Sequence, residues 1–392
     1  MTNYLITGGG FNNKGAESML YTLLTELRNN DANCKIYILL SNGVSSINND
    51  LFENIDFINY TIKDVKKLIS PFSFILKKNN KLLTAVKDAD VIFDISGYIL
   101  SSQWGKDAAR ILHIINLAKK YKKKIILLPQ SFGPFDFPKK YKLGKNKLKK
   151  VLSYSSLIFA REHDGFNLLK DLGLNNIELS PDIVIQSSKP YSGFFTNKAI
   201  NVDNNSASSI DIKSGSVLIF PNIRVIERSN KEKMLDLYQK AVNLLVENNY
   251  NVYISYYDLA DEKICKEIFD LFENNNKVHF LDGKIDCIKF SKILPEFDFI
   301  ISSRFHSIVH SYKNGIPVLA IGWAVKYEEL LHSVGQDDFI FDGRNDIESD
   351  KFLEKIKYLI ANFKIESEKI KFNVAKIQKN NCFDRVWECL SK

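Results

Sequence analysis

What most limits how this chain can fold is an alternation of short apolar runs with amphipathic stretches of helical period, repeated on both sides of a polar segment. Tyr4-Leu5-Ile6-Thr7, Cys34 to Leu40, Ala89 to Ile95, Lys124 to Leu128 and Leu157 to Ala160 read as strands, most of them followed by a helical pattern. The alternation restarts at Ser216 to Phe220 and continues through Asn251 to Ser255, Val278 to Leu281, Phe297 to Ile301, Pro317 to Ile321 and Phe339 to Phe341. Runs that are apolar throughout belong to strands covered on both faces, so the fold class is α/β, with two parallel-sheet domains facing each other over a cleft. A chain of 392 residues is also too long for one ordinary core. The expected division is a first domain over 1–190, a polar linker over 191–214 rich in Asn and Ser from Asn201 to Ser209, a second domain over 215–345, and helices over 346–392.

Composition narrows the class. A hydrophobic share of 45% with 26% charged residues is that of a globular protein, and no run approaches the length of a bilayer span. The five cysteines, Cys34, Cys265, Cys287, Cys382 and Cys389, form no CxxC pair and read as thiols of a reducing compartment. Met1 to Thr7 runs straight into a glycine loop without the features of a leader, so a cytoplasmic location is expected. Much of the net charge of +8 comes from Lys139 to Lys150. A solvated helix face accounts for that stretch, and peripheral contact with an anionic membrane surface is the second reading. Nucleic acid is set aside because no nucleic-acid-binding signature accompanies the charge.

Chemistry-bearing residues recur where a strand hands over to a helix, the sheet edge at which open α/β proteins bind ligands. Ser302-Ser303-Arg304-Phe305-His306 is such a turn. Arg304 offers a bidentate fork for phosphate or carboxylate, His306 a proton carrier near neutral pH, and Ser303 with its neighbours small hydroxyls that let a ligand approach. The competing reading makes Arg304 a cap of the helix region and His306 a satisfied, half-buried histidine. His306 and His310 have the i, i+4 spacing of a metal pair, yet no Glu follows His306 and no third ligand is evident, so no metal is expected.

The loop Gly8-Gly9-Gly10-Phe11-Asn12-Asn13-Lys14-Gly15 is neither a Walker loop nor a dinucleotide fingerprint. Its missing side chains, Gly10 and Gly15 among them, would let a ligand reach backbone N–H groups, with Asn12 and Glu17 at hand. Glu17 equally suits the dipole of its own helix. Asp94 leaves its strand at the carboxyl tip, as a helix cap or, in the reading adopted, a site residue. Gln130 lies in the loop closing the next strand, and Arg224 leaves the first strand of the second half. Lys326 follows Gly322-Trp323, as a cleft cation or a surface lysine.

In order along the chain, Asn12-Asn13-Lys14-Gly15-Ala16-Glu17, Asp90-Val91-Ile92 with Asp94-Ile95-Ser96-Gly97, Leu128-Pro129-Gln130-Ser131-Phe132-Gly133-Pro134, Ala160-Arg161-Glu162, Ser180-Pro181-Asp182, Pro221-Asn222-Ile223-Arg224 and Ser302-Ser303-Arg304-Phe305-His306 resemble the polysaccharide pyruvyl transferase family. The resemblance lies in the ordered set and reaches about Gly335. It implies two Rossmann-like domains similar to GT-B glycosyltransferases, the first on the acceptor side and the second on the donor side. It implies phosphoenolpyruvate as donor substrate, with no cofactor, and a sugar of a surface glycan, often lipid-linked, as acceptor. It further implies that Arg224 and the Arg304-Phe305-His306 turn hold the donor.

That chemistry suits the residues independently. Phosphoenolpyruvate carries a phosphate and a carboxylate, which guanidinium forks from two strands can hold together. Ketal formation needs a proton on the methylene carbon, attack by a sugar hydroxyl on the adjacent carbon, and loss of phosphate. His306 is the expected acid and Asp94 the expected base, with Glu17 behind it. Two rivals stand beside this reading: a GT-B-like glycosyltransferase using a nucleotide sugar in the same cleft, and a binding protein without turnover that recognises a glycan or a membrane phosphate.

Overall fold

A computed structural model describes residues 2–11, 13–41, 49–71, 80–141, 143–196 and 211–391. The first sheet has the order β3-β2-β1-β4-β5-β6-β7, built from β1 (Asn3–Thr7), β2 (Lys35–Leu40), β3 (Ile55–Asn59), β4 (Val91–Asp94), β5 (Lys124–Gln130), β6 (Leu157–Ala160) and β7 (Ile177–Leu179). The second has the order β10-β9-β8-β11-β12-β13, from β8 (Ser216–Phe220), β9 (Asn251–Ser255), β10 (Val278–Leu281), β11 (Phe299–Ser302), β12 (Val318–Gly322) and β13 (Ile340–Asp342). Every strand pairing is parallel. The central strands β4, β6, β8, β11 and β12 are buried along their whole length, as helices on both faces require.

In each sheet the chain starts in the interior, works to one edge, and then returns to the other side of its first strand. The winding reverses between β1 and β4 and between β8 and β11, which is where open α/β sheets leave a crevice for ligands. The glycine loop follows β1, the Asp94 turn ends β4, Pro221 to Arg224 follows β8, and Ser302 to His306 ends β11. Two strands escape the sequence reading, β3 and β7, and both lie at sheet edges. Residues Asp56 and Asn59 of β3 face solvent, and β7 is only three residues long with Leu179 exposed, so neither shows a continuous apolar run.

The polar segment expected to be a linker differs at its start. Phe194 is fully buried against Tyr21 and Phe195, with ring centroids 5.1 and 4.4 Å away, and its carbonyl accepts from the Glu53 N–H at 3.0 Å. Aromatic side chains at positions 191, 194 and 195 outweigh their polar neighbours and dock the segment on the first unit. Residues 197–210, including Asn201 to Ser209, lie outside the described residues. Within the lysine-rich stretch, the helix Lys145–Leu152 buries Leu148, Val151 and Leu152 and exposes its lysines.

Two sets of contacts outside the candidate site help to fix the halves against each other. The helix Ser349–Lys379, 31 residues and about 46 Å long, leaves the second sheet, and the helix Cys382–Ser391 then docks on the first unit. There Cys382 N–H donates to Gln186 Oε1 (2.6 Å), Arg385 Nε to Glu178 (2.5 Å), and the Leu390 carbonyl accepts from Lys124 (3.2 Å). The start of the helix Lys14–Asn30 forms the second connection. Asn13 Nδ2 donates to Asp258 (2.9 Å), Lys14 Nζ to the carbonyls of Tyr257 (3.1 Å) and Gly283, and Ser18 Oγ meets His310 Nε2 at 2.6 Å.

The Phe194→Ala variant is expected to lose about 3–5 kcal/mol of stability in denaturant unfolding, the usual effect of emptying an aromatic core site. An unchanged unfolding midpoint would mean that this segment is a free linker after all.

Candidate active site

The site lies where the carboxyl ends of the two sheets face each other, and its centre is Arg161 at the tip of β6. Burial obliges this guanidinium to satisfy its donors. Nε donates to Glu162 (3.0 Å), Nη1 to Asp182 (2.7 Å), and Nη2 to Ser131 Oγ (2.6 Å) and the Gly97 carbonyl (3.3 Å). Its flat face lies 4.5 Å from the ring centroid of Phe305, which comes from the other sheet. Burial alone would raise the pKa of Asp182, but contacts with His306, Arg161 and the Val184 N–H outweigh it and hold the carboxyl well below the usual range.

His306 follows Phe305 in the first turn of the helix Phe305–Lys313. Its Nε2 is 3.5 Å from Asp182 Oδ2, at ion-pair rather than hydrogen-bond distance. Burial lowers its pKa, Asp182 opposes that, and Arg161 and Lys326 add to the lowering. The ring rests on Gly15 so closely that a Cβ there would collide with Nδ1 and Cγ. His306 is thus lodged between the two halves, with its Nε2 toward a carboxylate.

Two cavities of about 510 and 610 Å³ open beside this core and share Glu162 and Lys326 in their walls. Lys326 Nζ sits among aromatic rings, 5.1 Å from Phe305, 5.3 Å from Trp323, 5.5 Å from Tyr98 and 5.7 Å from Tyr327. Among the described residues it has no hydrogen-bond or ion-pair partner. Burial, with Arg161 nearby, pushes its pKa down to about 7. Arg228, stacked 4.2 Å from Trp323, and Arg344 also line the larger cavity. A pocket so furnished suits an anion, because a half-buried ammonium among aromatic rings gains when an opposite charge arrives.

Of the residues singled out in the sequence, Phe305 and Lys326 line these cavities and His306 packs directly behind them. The others are placed differently. Arg304 turns its fork into the second unit, with Nε and Nη2 both 2.5 Å from the buried Asp261, whose carboxylate also accepts from the Ile223 N–H. Arg224 is 65% exposed and pairs with Glu227 at 3.3 Å. Neither arginine lines either cavity.

Ser303 is buried, its hydroxyl 3.0 Å from Tyr238 Oη and its carbonyl accepting from Asn222 and Tyr327, so it shapes the turn and has nothing left for substrate. Asp94 is buried beneath Ser96 and Gln130, accepting from the Ser96 N–H (3.2 Å) and hydroxyl (2.9 Å) and from Gln130 Nε2 (3.1 Å). Burial pushes its carboxyl up to about 6. It lines neither cavity, so its expected role as base finds no support in this geometry; Gln130, equally buried, supports Asp94 and keeps its Oε1 without a partner among the described residues.

Glu17 is a strut between the halves. It stands in the first turn of its own helix, and its Oε2 accepts the Cys287 N–H at 3.0 Å, so it also complements the N-terminus of Cys287–Ile293. Burial raises its carboxyl to about 6. Gly15 meets the His306 ring in place of a ligand, and Asn13 caps the N–H groups of residues 15 and 16. Gly10 borders open space, and Asn12 lies outside the described residues. His310 is a core histidine held by Ser18 and by Ser291 at 3.2 Å. Among the described residues, no group of three His, Cys, Asp or Glu could hold a metal ion.

The family model of polysaccharide pyruvyl transferases matches residues 13–324. The chain belongs to the polysaccharide pyruvyl transferase family. In this family member the turns after β4, β5, β6, β8 and β11 fall within the matched span, which begins inside the glycine loop and ends two residues before Lys326. No significant match is found among curated proteins. Solved structures share its fold at low identity. UDP-GlcNAc 2-epimerase from Methanocaldococcus jannaschii has 14% identity and a TM-score of 0.58, covering 92% of this chain and 93% of that one. The Neisseria meningitidis UDP-GlcNAc 2-epimerase bound to UDP-GlcNAc has 14% and 0.57, over 100% and 99%. A glycosyltransferase from Rickettsia africae has 14% and 0.58, over 99% and 98%. The pyruvyl transferase chain therefore has the GT-B fold of glycosyltransferases and epimerases.

The sequence alone does not single out Arg161, Asp182, Glu162 and Arg228 as site residues. Arg161-Glu162 at a strand end and Asp182 after Ser180-Pro181 had the same signal as Arg304 and Asp94, a charge at a strand tip, but which tip faces the other sheet is a tertiary fact.

His310 gives this interface a pH dependence. An unfolded histidine protonates near 6.5, while burial pushes His310 down to about 3. Between those values the unfolded state binds the extra proton, so stability falls with falling pH by up to about 1.4 kcal/mol per unit. Urea unfolding of wild type and His310→Gln from pH 7 to 4 should show the slope reduced in the variant; parallel curves would contradict this.

Proposed function

We propose that this family member transfers a pyruvyl group from phosphoenolpyruvate to hydroxyls of a sugar in a cell-surface polysaccharide or its lipid-linked precursor. The reading places it in the cytoplasm and needs no cofactor, since donor and acceptor supply every atom of the product. The observation that carries it is Lys326, a cation without an ion-pair partner among the described residues on the wall shared by both cavities, with Asp182, the partner of His306, in the wall of the 510 Å³ one. The carboxylate and phosphate of phosphoenolpyruvate match Lys326 with Arg228, and the arriving negative charge would raise the pKa of both Lys326 and His306 so that both become cationic in the complex.

His306 then protonates the methylene carbon of the donor as a sugar hydroxyl oxygen attacks the adjacent carbon. The bond from that carbon to the phosphate oxygen breaks, and a second hydroxyl closes the ketal. Of the two hydroxyl protons, one replaces the proton given by His306 and the other leaves with phosphate. Glu162 is the group we assign as base. It lines both cavities, and Arg161 and Ser131 hold its Oε1, leaving Oε2 without a partner among the described residues. Asp182 keeps His306 oriented and favours its imidazolium.

A second reading is a glycosyltransferase acting on a nucleotide sugar, favoured by structural neighbours whose names include UDP-GlcNAc. Phosphate release from phosphoenolpyruvate on addition of glycan, with the pyruvylated product followed by mass spectrometry, separates the two. His306→Asn is expected to lower kcat about 10²–10⁴-fold with donor binding retained, whereas Lys326→Met is expected chiefly to raise KM for phosphoenolpyruvate. Turnover of a nucleotide sugar, with none of phosphoenolpyruvate, would overturn the proposal.

A further inference from the structure

We propose that the outer face of the helix Ser349–Lys379 is a docking surface for an anionic membrane. Tyr358, Ile365 and Phe372 on this helix are 41%, 56% and 64% exposed. Their seven-residue spacing places them in one row about 21 Å long. The inner face is filled by Phe352, Ile356, Leu359, Ile370 and Val374, and Tyr358 is tied back by its hydroxyl to Glu366 (3.0 Å) and rests against Phe339, so Ile365 and Phe372 are the part of the row additional to what the core requires. Large apolar side chains aligned on the solvent side of a helix mark an interaction surface.

The charges beside the row say what covers it. Lys357, Lys364 and Lys371 repeat at the same seven-residue spacing along one flank, and Lys376 lies 4.0 Å from the Phe372 ring centroid. On the other flank, Lys355, Asn362, Lys369 and Lys376 give no second apolar row, so the helix lacks the paired seam that a second copy would need for a coiled coil. Glu354 and Glu368 lie between the apolar row and the first line of lysines; Glu368 pairs with Lys371 at 2.8 Å, which leaves Lys357 and Lys364 there without an ion-pair partner among the described residues. A single shallow row of apolar side chains, bordered by lysines whose stems can lie flat while their ammonium groups reach outward, matches the boundary between headgroups and acyl chains of an anionic lipid layer. Among the described residues no helix is long and apolar enough to cross a membrane, so the contact is peripheral. The inference is independent of the donor reading, because binding to lipid is read without turnover.

The test is sedimentation of the full chain with vesicles of phosphatidylcholine mixed with phosphatidylglycerol, against pure phosphatidylcholine. Binding is expected to the anionic vesicles only and to weaken as salt is added. The double variants Ile365→Gln with Phe372→Gln, and Lys357→Glu with Lys364→Glu, should each weaken partitioning about tenfold or more with unchanged melting. Lys145→Glu with Lys149→Glu, on the other lysine-rich helix, should leave it intact. The proposal is overturned if wild type ignores anionic vesicles or binds neutral ones equally. It is also overturned if neither helix variant changes binding, if the Lys145 and Lys149 variant alone abolishes it, or if light scattering shows a dimer that the Ile365 and Phe372 variant dissolves.

Discussion

A guanidinium taken out of water must have its donors satisfied, and Arg161 satisfies them with two carboxylates, a hydroxyl and a carbonyl while its flat face carries Phe305 from the opposite sheet. That arrangement sets the rest of the site. Because Arg161 fixes Asp182, the carboxylate faces His306; because Phe305 lies on Arg161, the next residue on the same helix turn is His306 itself. Removing one partner from such a buried set leaves an uncompensated charge, typically a loss of about 3–5 kcal/mol. The two halves are held in register by the same few contacts that form the candidate site, together with the struts from Asn13, Lys14, Glu17 and Ser18.

In a site assembled this way, burial works against the charged forms of its two cationic groups. Burial lowers the pKa of both His306 and Lys326, the latter to about 7. The low-dielectric surround that disfavours their charged forms also strengthens their attraction to an incoming anion. Binding of a doubly anionic donor and charging of the acid are therefore coupled. Protonation competence would then appear with the donor rather than before it.

Much of the architecture was legible in the sequence because it rests on local pattern. Runs such as Val217 to Phe220 and Phe299 to Ile301 are apolar throughout, and parallel strands buried on both faces need that. The edge strands β3 and β7 were not legible, since one face of each meets solvent and the pattern is broken by Asp56, Asn59 and Glu178. The site was legible as a set of strand tips, and Phe305, His306 and Lys326 stand together at the cavities. Which charged residue faces a ligand was not, because that depends on partners far away in sequence. Arg304 is claimed by Asp261, Glu17 by the N–H of Cys287, and Asp94 by Gln130. A strand-tip charge looks the same in sequence whether its partner is a ligand, a neighbour or water.

The most direct measurement is calorimetric titration of phosphoenolpyruvate into the protein from pH 6 to 8.5, in buffers of different ionisation enthalpy. Lys326, with its pKa near 7 in the free protein, loses its charge as pH rises, so the account predicts affinity that falls above about pH 7 and net proton uptake on binding. Both should be diminished in Lys326→Met. Saturable heat with a UDP-sugar and none with phosphoenolpyruvate, or phosphoenolpyruvate binding with neither proton uptake nor dependence on Lys326, would contradict it.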